Sequence, residues 1–143
     1  MKEQICQLLL EILEQKIKTV QQNIFYIKEA RNNETKSSAG DKYETGRVMM
    51  QAELDKQFLL LRQLLQQQVD ILKIKKTKPT EEVGFGSWVK TNQGNFLISI
   101  GLGKVGEAFV ISLASPLGKA LKGLKTGETT IFQNKEYQIK SVK

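Results

Sequence analysis

Ser37-Ser38-Ala39-Gly40-Asp41-Lys42-Tyr43-Glu44-Thr45-Gly46-Arg47 is a short break between two long stretches of helical periodicity, and its reading decides the fold. Before it, apolar residues stand at Cys6, Leu10, Leu13, Ile17, Val20, Ile24 and Ile27. Their spacing alternates four and three, which is the seam of a coiled coil. Glu, Lys and Gln fill the positions between, and no Gly or Pro interrupts. This predicts a helix of about 28 residues, near 40 Å long at 1.5 Å per residue. The polar run Arg31-Asn32-Asn33-Glu34-Thr35-Lys36 reads as the start of a loop. After Arg47 the stripe resumes with Met50, Leu54, Phe58, Leu61, Leu65, Gln68 and Leu72. A lone helix would expose such a stripe, whereas two equal stripes joined by a short break pack against each other as an antiparallel hairpin. The break is then the tip, far from the rest of the chain, and it carries the carboxylates of Asp41 and Glu44.

Lys73-Ile74-Lys75-Lys76-Thr77-Lys78-Pro79 reads as a basic linker, with the proline ending the helix. Its lysines suit contact with phosphate, or simply solvation of a linker. Beyond it the hydrophobic period changes to two. Strands are predicted at Ser87–Thr91, Asn95–Ile100, Ala108–Leu113, Thr129–Gln133 and Glu136–Val142, with Asn92-Gln93-Gly94 and Asn134-Lys135 as hairpin turns. Between the third and fourth strands, Ser115 suits an N-cap, Pro116 a first helical position and Gly123 a C-terminal cap. The fold class is therefore α+β. Residues 1–75 are expected to form an antiparallel coiled-coil hairpin with an acidic tip. Residues 80–143 are expected to form a small antiparallel sheet domain with one short helix.

Several classes of chemistry are excluded by what the chain lacks. There is no histidine, so Ser-His-Asp and Cys-His arrangements and His-based zinc sites are absent together. The single cysteine, Cys6, cannot form an internal disulfide; a reducing cytoplasm is the expected compartment, and Cys6 reads as a small seam residue. No apolar run approaches the roughly 18 residues of a membrane span. The N-terminus does not follow the plan of a signal peptide, because Glu11 and Glu14 interrupt its apolar run.

The net charge of +7 is unevenly distributed. Residues 1–72 hold ten Lys/Arg and ten Asp/Glu, while residues 73–143 hold twelve lysines against five glutamates. Such asymmetry fits an acidic partner, nucleic acid or protein, or a device for solubility.

Two motifs have competing readings. Gly101-Leu102-Gly103-Lys104-Val105-Gly106 matches a dinucleotide fingerprint, but a true fingerprint opens a helix. The residues that follow, Glu107-Ala108-Phe109-Val110-Ile111, have strand character, so these glycines read as a loop between strands. Asp41-x-x-Glu44 fits a capping box at the start of the second helix. It also fits a pair of carboxylates that share a hard divalent cation, with waters and a macromolecular partner completing the shell.

The ordered set of motifs resembles one known family. Gly40-Asp41-Lys42-Tyr43-Glu44 at a hairpin tip is followed by Ile111-Ser112-Leu113-Ala114-Ser115-Pro116-Leu117-Gly118-Lys119-Ala120-Leu121-Lys122-Gly123-Leu124-Lys125-Thr126-Gly127-Glu128 and a closing Glu136-Tyr137-Gln138-Ile139. Together these are similar to the Gre transcript-cleavage factors over nearly the whole chain. The resemblance implies an FKBP-like second domain that docks on bacterial RNA polymerase through Ser115, Pro116 and Leu117. The hairpin would enter the secondary channel. There Asp41 and Glu44 would help hold a catalytic Mg2+ of the polymerase's own active site, and a metal-activated water would cut backtracked transcripts. On this view the factor is not an enzyme by itself, binds no cofactor alone, works as a monomer, and meets nascent RNA and DNA only indirectly. The tip departs from the family pattern: members usually follow the tip with Glu-Asn-Ala-Glu-Tyr, and here Glu44 is followed by Thr45-Gly46-Arg47. The loop before Asp41 is longer, and the sheet domain is shorter ahead of Ala108. The rival expectations are a channel-binding regulator or inhibitor that does not promote cleavage, a prolyl isomerase or chaperone, and a coiled-coil adaptor.

Overall fold

The computed structural model describes residues 1–34 and 41–143, with the side chains of all of them except Glu34 and residues 41–44. Two long helices, α1 (Lys2–Glu34) and α2 (Asp41–Lys76), precede six strands and one short helix. The helices pack antiparallel. Arg31 donates to Gln51 Oε1 at 3.1 Å at one level, and Lys75 donates to Gln7 Oε1 at 3.3 Å at another. The chain divides into two compact units, Ile12–Gln67 and a unit made of Met1–Glu11 with Gln68–Lys143.

In Ile12–Gln67 the seam of α1 is as expected, with Leu13, Ile17, Val20 and Ile24 buried. Helix α1 also runs through Arg31–Asn33, where a loop was expected. In its polar last turn Arg31 donates to Gln51 and suits the negative end of the helix dipole. The seam of α2 is shifted from its expected course. Leu54 and Leu64 are buried, whereas Phe58 and Leu65 are each 43% exposed. Gln57, one residue earlier than expected, takes the inward position after Leu54. A strict four-three alternation from Met50 passes through Gln57, Leu61 and Leu64, and hydrophobicity alone favours the neighbouring Phe58. Phe58 lies on the flank of the seam, where the Lys28 ammonium sits 5.4 Å from its ring centre.

The second unit is built on a six-stranded sheet. Its strands are β1 (Trp88–Thr91), β2 (Gly94–Ile98), β3 (Gly103–Val105), β4 (Ala108–Ile111), β5 (Thr129–Phe132) and β6 (Lys135–Val142), in the spatial order β3-β4-β2-β1-β6-β5. The expected all-antiparallel sheet needs one correction: β2 and β4 are parallel. After β2 the chain passes one strand position outward before β3. The tight β3–β4 hairpin then folds β4 back into the gap beside β2. Gly106, at φ 58°, supplies the left-handed residue of that turn, and a Cβ there would approach Ile5 at 3.4 Å. The glycine-rich segment thus contains an edge strand, with no helix following it. The last hairpin turn falls on Gln133 and Asn134, at φ 50° and 64°, one residue before its expected place. Lys135 is already paired with Phe132.

One sheet face carries Val89, Phe96, Ile98, Tyr137 and Ile139, which form a core with Val83 and with Leu121 of α3 (Pro116–Leu121). Trp88, Leu97 and Val110, on the opposite face by register, are also buried. Both faces of the central strands thus contribute buried residues, while Lys90 of β1 and Phe109 of β4 remain exposed. Helix α2 reaches further than the expected linker boundary, to Lys76, and Ile74 is 1% exposed. It stops where the Thr77 hydroxyl donates to the Lys73 carbonyl at 2.7 Å.

Candidate functional site

The expected docking residues open α3, and local hydrogen bonding explains their geometry. Ser115 is the N-cap, in extended conformation at φ −68° and ψ 155°. Its Oγ accepts from the Gly118 amide at 3.0 Å and donates to the Ser112 carbonyl at 2.6 Å. That hydroxyl is engaged twice, which suits a structural cap better than a nucleophile. Pro116 occupies the first helical turn, where its missing N–H leaves no bond unmade. Gly118 is buried, and a Cβ on it would collide with the Ser112 carbonyl oxygen. Leu117 is half-buried against the core. Only Pro116, Ala114 and Lys119 of this turn are well exposed. The sequence stretch therefore combines a fold-forming turn (Ser112, Ser115, Leu117, Gly118) with a small outward surface centred on Pro116.

At the other candidate site, α2 starts at Asp41, within a residue of where a capping box puts its start. Residues 35–40 and the side chains of Asp41 and Glu44 lie outside the described residues. Among the described residues, no group of three or more His, Cys, Asp or Glu side chains could hold a metal ion. Gly46 is within the helix, close behind the acidic pair. Beside it, Tyr26, Ile27 and Ala30 face Gly46, Met49, Met50 and Glu53 across a shallow hollow. Tyr26 and Met49 are 65% and 68% exposed. Seam arithmetic overlooks both residues. The signal for them is large apolar side chains at positions that a two-helix seam cannot cover.

The aromatic residues of the sheet mostly build its core. Phe96 stacks on Phe109 at 5.5 Å between ring centres and meets Tyr137 edge-on at 6.1 Å. Tyr137 in turn meets Phe132 at 6.5 Å. Cys6 is 1% exposed, and burial pushes its thiol pKa up, partly opposed by the charges of Lys2 and Lys75. Burial also lowers the pKa of Lys2, against the opposing effect of Cys6. Neither arrangement makes Cys6 a ready thiolate. No helix among the described residues is long and apolar enough to cross a membrane.

Compared with models of known families and with curated proteins, the chain matches none.

Proposed function

We propose that this chain is a Gre-like factor that binds bacterial RNA polymerase, inserts its helical hairpin into the secondary channel and promotes cleavage of backtracked transcripts. Asp41 and Glu44 share the Mg2+ of the polymerase active site, and the surface around Pro116 docks on the enzyme. The observation that carries this reading is the two-part build of the chain. A pair of long antiparallel helices whose second member begins at Asp41 is followed by an α+β unit in which the Ser115-Pro116-Leu117 turn presents Pro116 outward.

The residues present suit the metal only in part. Two carboxylates are oxygen donors of the kind Mg2+ prefers, and they are too few for a site without a partner. The bound metal would supply an activated water. The chain's own share is to place two carboxylates on the first turn of a helix.

The non-cleaving regulator is favoured by one feature. Gly46 weakens the second turn of α2 by about 1 kcal/mol relative to alanine, and a 1 Å displacement of reacting groups can cost about 100-fold in rate. Both readings require binding to polymerase. The test is a purified backtracked elongation complex with Mg2+, scored for factor binding and for release of the transcript's 3′ fragment. Binding with stimulated release supports the cleavage reading. Binding without release supports the regulator, and absence of binding overturns both.

A further inference from the structure

We infer that β5 pairs, antiparallel and about a two-fold axis, with β5 of a second copy of this chain. The two edges of the sheet are built differently. At one edge, β3 is three residues long and consists of Gly103, Lys104 and Val105. A short strand with a lysine and a glycine is how proteins usually blunt a free edge. The other edge is Thr129-Thr130-Ile131-Phe132, without charge, proline or glycine. Every residue in it favours extended structure. Ile131 is 75% exposed, the most exposed of the large hydrophobic residues among those described.

The register shows which backbone groups of this edge are open. The Glu128 carbonyl accepts from the Ile139 amide at 2.9 Å, and β5 pairs Thr130 with Tyr137 and Phe132 with Lys135. In an antiparallel ladder the bonding residues alternate. Thr130 and Phe132 therefore turn their N–H and C=O groups toward β6, as Glu128 turns its C=O while its N–H donates to the Lys125 carbonyl, and Thr129 and Ile131 turn theirs outward.

A second β5 satisfies this pattern in one register. With Thr130 on the axis, Thr129 of each copy faces Ile131 of the other, and four backbone hydrogen bonds form. The two Ile131 side chains lie diagonally across the new strand pair and cover each other. Glu128 comes beside Phe132 of the second copy, one strand from its Lys135, so opposite charges approach. No side chain of β5 repels its own copy.

The contact is small against the roughly 1,200 Å² at the low end of specific interfaces, and each copy carries +7. The association is therefore weak and reversible, and the chain is monomeric when dilute.

Two measurements test this on the full chain. Sedimentation velocity over a concentration series should show the wild type self-associating and Ile131→Lys remaining monomeric with an unchanged melting temperature. Residues directly opposite in a non-hydrogen-bonded pair have Cα atoms about 4.5 Å apart, within disulfide range. In a Cys6→Ser background, mild oxidation should then cross-link Thr130→Cys into a covalent dimer and cross-link Thr129→Cys several-fold less. Self-association that Ile131→Lys leaves intact, or equal cross-linking at both positions, overturns the proposal. So does a wild type that stays monomeric up to about 1 mM with no cross-link at position 130; the edge would then suit an extended segment of another protein.

Discussion

The Ser115 hydroxyl donates to the main-chain carbonyl of Ser112 at 2.6 Å while accepting from the Gly118 amide. The same Ser112 carbonyl occupies the space a Cβ on Gly118 would need. Ser115→Ala should cost about 0.5–2 kcal/mol through the lost cap. Gly118→Ala should cost about 1–3 kcal/mol because backbone must move. Thermal melts check both, and a neutral Gly118→Ala would mean that the turn relaxes freely. These two positions cannot test docking, since their effects begin with the fold. Pro116 can, because it is exposed. Pro116→Asp should leave the melt near wild type and weaken binding to polymerase; unchanged affinity would place the docking surface elsewhere.

The two helices offer a paired test of the seam. Ile17 is buried, and Ile17→Ala should destabilise the chain by about 2–4 kcal/mol. Phe58 is 43% exposed and touched by Lys28, so Phe58→Ala should cost no more than about 1 kcal/mol. Chemical denaturation of both variants decides it. Equal losses would put Phe58 in the seam after all.

Those two residues also show where sequence was informative. The stripe from Leu13 to Ile24 was legible because every inward position is aliphatic and its neighbours are polar. On α2 the inward position 57 is a glutamine whose Oε1 is buried without a hydrogen-bond partner, while the next residue is phenylalanine. Hydrophobicity and period disagreed there, and the packing followed the period. In the sheet, alternation located β1, β2, β4, β5 and β6. It could not show that β4 lies parallel to β2, because pairing order depends on which strand fills a gap. Strand β3 is hidden for a different reason: glycine gives no alternation to read. Ser115 and Pro116 were legible because capping chemistry is local. The open edge at Ile131 was not, because edge status belongs to the whole sheet.

Cys6 should be chemically quiet in the folded chain. It is 1% exposed, and burial holds its thiol above the usual range. Iodoacetamide at mildly alkaline pH should label native protein far more slowly than protein in denaturant. The linkage has a definite sign. Where the unfolded thiol ionises and the folded one does not, the unfolded state binds fewer protons, so stability falls as pH rises through and above the ordinary thiol range. Cys6→Ala should remove that part of the alkaline slope. An identical slope in the variant would show that the thiol contributes nothing to it.

Capping and metal-holding predict different outcomes for the acidic pair. If Asp41 and Glu44 only start α2, Asp41→Asn is nearly harmless, because Asn caps helices about as well as Asp. Glu44→Gln is equally mild, since Gln can fill the reciprocal position of a capping box. If they share Mg2+ in the polymerase active site, the same two changes remove the negative charge a hard cation requires. The expected result for the Asp41→Asn/Glu44→Gln double variant is a melting temperature and polymerase affinity close to wild type. Stimulated transcript cleavage should fall by at least about 100-fold, the size commonly lost with a positioned catalytic group. Raising Mg2+ should recover part of the loss, because weaker ligands can be offset by mass action. The measurement is 3′-fragment release from a backtracked complex across a Mg2+ titration, with wild type and double variant side by side. A double variant as active as an active wild type would reduce the pair to helix caps. A wild type that binds and does not cleave would turn attention to Gly46, and Gly46→Ala should then restore cleavage if a loose second turn is what misplaces the carboxylates.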